Sequence, residues 1–223
     1  MDITSEQEKL LRKYAEAVAN APQHLHLTSE RDANLFWDRH VMDAIKLVEV
    51  IPPALKRPSN KILDIGSGNG IPGIPISIFN PGWRVDMLDS DNKKCGFIDS
   101  FCKSNAILNA HVIVGRAETL AHGPMRSSYY IVFARALSKL RTTIELGAAF
   151  VKVGGMLIVP HGTSWEKELG NNADSLDLLG LEMPYSVEYV LGEVKFAAII
   201  FEKIADTPVA YPRAVGIPSK RPL

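Results

Sequence analysis

Three observations predict a doubly wound α/β fold built on a mostly parallel sheet. Short apolar runs alternate with helical periodicity from Lys61 onward; the first run, Lys61–Ile65, opens into a turn holding Gly66, Gly68, Gly70 and Gly73; and 46% of the 223 residues are hydrophobic, enough for one sizeable core. Alternation of this kind joins parallel strands through helical crossovers that cover both faces of the sheet.

Two helices come first. Thr4 or Ser5, with Gln7 and Glu8 three residues on, offers a capping box, and Leu10, Leu11, Tyr14 and Val18 repeat at helical spacing until Pro22 interrupts. A linker, Gln23–Thr28, leads to a second helical pattern carrying Leu35, Trp37, Val41, Ile45 and Val48, which Pro52 and Pro53 stop. Residues 1–53 are therefore expected to form a helical cap on a core of residues 54–206. His24 and His26 alternate on the linker without an acidic or cysteine companion, which favours ordinary hydrogen-bonding histidines, and no metal is expected.

In the core, strands are expected at 62–65, 85–88, 111–114, 130–133 and 156–159, and helices at about 74–79, 92–105, 138–151 and 164–170. The ending differs. Ser186–Leu191 and Phe196–Glu202 flank Gly192-Glu193-Val194-Lys195, a hairpin signal that completes a seven-stranded sheet with an antiparallel pair. Residues 207–223 form a basic, proline-containing tail, and the whole is expected to be one compact domain.

Lys plus Arg equals Asp plus Glu at 25 each, so no global field announces a nucleic-acid partner, and any basic surface must be local. The N-terminus is polar and acidic, and no stretch approaches the ~18 apolar residues of a membrane span, so a cytoplasmic protein without membrane contact is expected. Cys95 and Cys102 stand seven apart on one helical face, too far along the axis for a bridge, and read as reduced core thiols.

The turn after the first strand carries the chemistry. Gly68-x-Gly70-x-x-Gly73 fits the dinucleotide pattern, in which a pyrophosphate rests on a helix N-terminus. Asp64, however, closes the strand just before the first glycine; a carboxylate repels a pyrophosphate and attracts the ammonium and sulfonium of S-adenosylmethionine (SAM). The second strand ends in Asp89, roughly 20 residues beyond the turn, where an acid can hydrogen-bond ribose hydroxyls. Gly115-Arg116-Ala117-Glu118 follows the third strand, where a small residue and a carboxylate suit an adenine, although Glu118 also fits the first turn of a short helix. Arg135 follows the fourth strand on the methyl-transfer side; its alternative is a salt bridge to Asp64 or Glu118.

Leu27-Thr28 with Arg31-Asp32, His40-Val41-Met42-Asp43, the run from Asp64 through Gly-Ser-Gly-Asn-Gly-Ile-Pro-Gly-Ile-Pro to Ile76, Leu88-Asp89-Ser90 with Lys93-Lys94, Arg116-Ala117-Glu118, Arg135-Ala136 and the tail from Tyr211 to Leu223 together resemble the glucose-inhibited division protein B family, the bacterial small-subunit ribosomal RNA methyltransferase G group. The resemblance covers nearly the whole chain. It implies a Rossmann-like, SAM-dependent methyltransferase that modifies guanine N7 in the decoding-region loop of 16S rRNA, acting as a monomer on 16S rRNA or the small ribosomal subunit. It places Gly66, Ile71, Ala117, Glu118 and Arg135 at the SAM site, beside Asp64, Gly68 and Asp89 from the strand-tip argument. The chain departs from the family at His26, Ala44 and His161, where asparagine, serine and lysine are usual.

Guanine N7 has a free in-plane lone pair and no proton, so methylating it needs no general base, and no catalytic base is expected. RNA phosphates are expected to meet Lys93, Lys94, Arg141, Arg213, Lys220 and Arg221, the last three in a tail without acids after Asp206. A strap lying on the protein itself is the alternative for that tail. Two rival functions are a small-molecule methyltransferase, for which there is little room for a substrate lid, and a non-catalytic ribosome assembly factor, against which the intact glycine turn speaks.

Overall fold

The computed structural model describes residues 3–29, 32–57, 60–162, 164–170 and 172–223. Arg31, part of the family-like sequence, lies outside the described residues.

Helix α1 (Ser5–Ala19) opens with the expected box: Gln7 N–H donates to Thr4 Oγ1 at 3.2 Å and Thr4 N–H to Gln7 Oε1 at 3.0 Å. The second helical pattern is divided in three. Helix α2 (Ala33–Phe36), capped by Asp32, widens into a π-helical turn at Trp37–Val41 before α3 (Met42–Val50) resumes α geometry. The cap is tied to the core, because Gln7 Nε2 donates to the carbonyls of Ile78 and Phe79 at 3.1 Å each.

Seven strands and their crossovers follow: β1 (Lys61–Ile65), α4 (Gly73–Phe79), β2 (Arg84–Asp89), α5 (Asn92–Ser104), β3 (Ala110–Val114), α6 (Ala117–Leu120), β4 (Tyr129–Ala134), α7 (Leu140–Ala148), β5 (Val151–His161), α8 (Trp165–Leu169), α9 (Ala173–Leu179), β6 (Tyr185–Leu191) and β7 (Val194–Glu202). They form one sheet in the order β3-β2-β1-β4-β5-β7-β6. The first five strands are parallel, and β7 runs antiparallel to both β5 and β6. Chain direction across the sheet reverses between β1 and β4, so the topological switch point lies there.

Period-two alternation divides the core. Ile62, Val85, Met87, Phe133, Ile158 and Ile200 face α1, α3, α4 and α5, whereas Leu63, Ile65, Leu88, Val132, Leu157 and Phe201 face α7 to α9. Cys95 and Cys102 are buried free thiols.

Within the core, β5, α7 and α9 also differ from expectation. Strand β5 begins five residues early, at Val151, with a register shift opposite Tyr129 and Ile131; its Gly154 and Gly155 masked that half, yet Gly155 is required because a Cβ there would sit 2.6 Å from the Tyr130 carbonyl oxygen. Helix α7 correspondingly ends at Ala148. Helix α9 was not expected, its seven residues holding too few apolar repeats to mark it.

The tail after β7 is docked. Arg126 donates to the carbonyls of Thr207, Pro208 and Tyr211, Thr142 Oγ1 donates to the Pro218 carbonyl at 3.0 Å, and a short helix α10 (Ile217–Lys220) lies against α7.

Candidate functional site

A cavity of about 580 Å³ opens at the carboxyl ends of β1 to β4, at the switch point. Its floor is the glycine turn. Gly66 N–H and Ser67 N–H both donate to the Leu88 carbonyl, at 2.7 and 3.1 Å, which pulls the turn across to β2. Gly66 holds φ +69°, and a Cβ there would lie 2.5 Å from Leu137 Cδ1, so the backbone is the wall at that point. Gly68 N–H donates to Asp89 Oδ2 at 2.8 Å and Asp91 N–H to Asp89 Oδ1 at 2.8 Å. A carboxylate accepts about four hydrogen bonds, so Asp89, which lines the cavity, keeps capacity for hydroxyl donors.

Gly66, Gly68, Ile71, Asp89, Ala117, Glu118 and Arg135 all line this cavity. Glu118, in the first turn of α6, is buried and accepts from Gly216 N–H at 3.0 Å, so one carboxylate serves both the cavity wall and the docking of the tail. Ser219, from α10, completes that wall.

Asp64 is the exception and corrects the charge argument made from sequence. It lies beneath the glycine turn, 1% exposed and outside the cavity wall, with Oδ2 accepting from Gly73 N–H at 3.0 Å. Its Oδ1 and the Ser67 hydroxyl are buried without hydrogen-bond partners among the described residues. Burial pushes the carboxyl up to about 7, with Asp89 adding to the rise and the Gly73 N–H and Arg135 opposing it. The acids that line the cavity are Asp89 and Glu118.

Arg135 pairs with neither expected acid. Its Nη2 lies 3.1 Å from Asp43 Oδ2 and 3.0 Å from His40 Nδ1, and Tyr189 O–H donates to Asp43 Oδ1. Burial raises the Asp43 carboxyl above its ordinary range, against the opposing pull of Arg135 and Tyr189.

The basic residues separate into two groups. Lys94 lines the cavity, Lys93 is exposed beside it, and Lys220 and Arg221 are exposed next to Ser219. Arg141 and Arg213 are corrected from RNA contacts to structural ties. Arg141 donates from Nε and Nη2 to the Leu169 carbonyl, at 3.0 and 2.7 Å, and from Nη1 to the Leu223 carbonyl oxygen. Arg213 grips the fully buried Glu145 with Nε at 2.9 Å and Nη2 at 2.6 Å. Arg141 spends its donors on the end of α8 and on Leu223, and Arg213 uses Nε and Nη2 to hold the tail on α7.

Sequence reasoning assigned no role to Thr28, Ser29, His40 or Arg116, all of which line the cavity. The first two arrive through a tie no pattern marks: Tyr14 O–H donates to the Asn69 carbonyl at 2.9 Å, and Asn69 Nδ2 donates to the Leu27 carbonyl at 3.0 Å, which fixes the cap's linker on the glycine turn.

The family model for rRNA small subunit methyltransferase G matches residues 7–193. The chain belongs to the rRNA small subunit methyltransferase G family. Among its relatives, the protein so named from Fervidobacterium nodosum is 34% identical over 221 residues, covering 98% of this chain and 99% of that one. The one from Moorella thermoacetica is 32% identical over 223 residues, covering 98% and 91%. A solved mutant of MtNAS in complex with S-adenosylmethionine shares the fold at TM-score 0.57 and 16% identity, covering 90% of this chain and 73% of that one. A SAM-dependent methyltransferase from Aquifex aeolicus does so at TM-score 0.53 and 15% identity, covering 74% and 92%.

As a member of the rRNA small subunit methyltransferase G family, the protein is a SAM-dependent methyltransferase. The cavity suits that cofactor. It offers a floor of glycine backbone at Gly66 and Gly68, an acid with spare acceptor capacity at the β2 tip, and a guanidinium held beside Asp43 at the β4 tip.

Proposed function

We propose that the protein transfers a methyl group from SAM to N7 of a guanine in the decoding-region loop of 16S rRNA. The observation that carries this reading is the cavity at the switch point of a chain from this family, with its acids engaged as hydrogen-bond acceptors.

The bound cofactor supplies an electrophilic methyl on a sulfonium. In this reading Asp89 receives the ribose hydroxyls, Ala117 and Glu118 border the adenine, and Gly66, Gly68 and Ile71 form the surface beneath. Asp64 favours the cation through space from beneath the turn. Arg135 meets the cofactor from the β4 tip, and the part of the cavity bounded by Leu27, Thr28 and His40 is left for the base. Reaction then depends on aligning N7, carbon and sulfur, and no side chain has a proton to remove. This accords with the engagement of Asp89 and Glu118 by backbone N–H groups.

Lys93, Lys94, Lys220 and Arg221 are assigned to RNA phosphates, and the fixed Arg141 and Arg213 are not. Residues 1–53 act as cap, 54–206 as core and 207–223 as tail of one compact domain, working as a monomer in the cytoplasm on 16S rRNA or the small subunit. Among the described residues, no helix is long and apolar enough to cross a membrane.

The test is transfer of labelled methyl to free 16S rRNA and to isolated small subunits, followed by borohydride and aniline treatment, which cleaves at N7-methylguanosine. Label that resists cleavage places the methyl on another atom. With methyl transfer rate-limiting, the single-turnover rate is expected to stay flat from about pH 6.5 to about pH 9, and a steep rise over that range refutes base-free transfer.

A further inference from the structure

Arg135 belongs to a cluster of charged and polar side chains at the edge of the cavity, of which Asp43 and Tyr189 have no part in the reading above. The cluster is assembled from four separate elements. Asp43 comes from the first turn of α3, His40 from the π-helical turn, Tyr189 from β6 and Arg135 from the end of β4. Asp43 is 1% exposed, and the Arg135 side chain is 18% exposed, its remaining surface on the cavity.

Burying an ion pair from water is costly, and apolar residues of equal volume would serve stability as well or better. Here the pair is instead completed. Asp43 Oδ2 takes Arg135 Nη2 at 3.1 Å, and Asp43 Oδ1 takes the Tyr189 hydroxyl. An arginine is donor-only and always charged, so the His40 Nδ1 that lies 3.0 Å from Arg135 Nη2 must be the lone-pair nitrogen. That fixes a neutral imidazole with its proton on Nε2. The ring is itself held edge-on by Phe36, with centroids 4.9 Å apart at 63°. Arg135 Nη2 is thereby held between the imidazole and the Asp43 carboxylate, and Nη1 and Nε have no hydrogen-bond partner among the described residues. The Nε and Nη1 N–H groups point in different directions, because Cδ lies between them, so the held guanidinium offers a carboxylate single charge-assisted N–H donors and its full positive charge.

We propose that Asp43, Tyr189 and His40 are positioning residues that hold Arg135 in one orientation, so that its guanidinium receives the carboxylate of the methionine moiety of SAM. This rests on the reading that the cavity is the SAM site. It also accounts for a π-helical turn at Trp37–Val41, a local geometry favoured where a side chain must be aimed at a site. An RNA phosphate is the other anion that could reach Arg135; the cofactor is favoured because Arg135 stands at the tip of β4, beside the turn that cradles SAM.

The experiment compares SAM with decarboxylated SAM, which lacks only that carboxylate, by isothermal titration on the full chain. The wild type is expected to prefer SAM on the order of 10- to 100-fold, the range of a hydrogen-bonded charge pair. Asp43→Asn, which keeps shape and removes charge, is expected to bring the preference to within about threefold of unity while affinity for decarboxylated SAM changes by less than about twofold. Tyr189→Phe removes one hydroxyl and is expected to reduce the preference by a smaller factor in the same direction, which covers the case of an Asp43→Asn that does not fold. A folded Asp43→Asn or Tyr189→Phe with the wild-type preference, or equal weakening of both ligands, overturns the proposal. So does a wild type that does not discriminate, or an Asp43→Asn whose only change is a shallower salt dependence of RNA binding. Failure of the underlying site assignment looks different: SAM affinity would then be untouched by replacing Gly66 or Asp89.

Discussion

At residue scale, Asp64 carries the sharpest consequence. Strand alternation puts it on the same side of β1 as Ile62, towards α4, so it ends beneath the glycine turn. That parity was readable in the sequence, and the assignment made from charge alone missed it, whereas Gly66, Gly68, Asp89 and Glu118 line the cavity because each lies at or just after a strand end. Folded Asp64 titrates near 7 and the unfolded residue near 3.8. A raised folded pKa means that the associated stability is complete below the unfolded value and is lost as pH rises through about 7. Chemical denaturation at about pH 5 and about pH 8 is therefore expected to show the wild type weaker at the higher pH, and Asp64→Asn is expected to reduce that difference. An identical difference in the variant contradicts the assignment. A cation above the turn favours the carboxylate, so SAM binding near neutrality is expected to release up to about one proton, read as a buffer-dependent calorimetric enthalpy that Asp64→Asn abolishes.

At the scale of elements, the cap and the tail decide what the sheet alone does not. Strands β1 to β4 were legible because each is a short apolar run bounded by turn residues. The π-helical turn was not, since Leu35, Trp37, Val41, Ile45 and Val48 keep a helical period through it and one extra residue per turn leaves no mark in composition. The tail read as basic, but which of its charges are spent depends on Glu145, whose burial in α7 no local pattern reveals. Arg213→Ala strips a fully buried carboxylate of its partner and is expected to cost about 3 kcal/mol in denaturant unfolding. The salt dependence of RNA binding should not change with it. Lys220→Ala with Arg221→Ala is expected to do the reverse, flattening that dependence by up to about two units of slope with stability and SAM affinity kept. An unchanged slope moves the RNA surface to Lys93, Lys94 and Arg116.

For the whole molecule, a formal net charge of +0 and a cavity at the switch point give a division of labour. In the proposed reading the sheet tips bind the cofactor, and cations at the rim, on α5 and at the end of α10, meet the nucleic acid without a global field. If this arrangement methylates guanine N7 in 16S rRNA, as proposed, a labelled methyl transferred to small subunits or to free 16S rRNA is expected on one guanosine in the decoding-region loop, cleaved after borohydride and aniline. Label on a ribose oxygen or an exocyclic nitrogen, or no transfer to either substrate by a chain that binds SAM, would contradict that proposal.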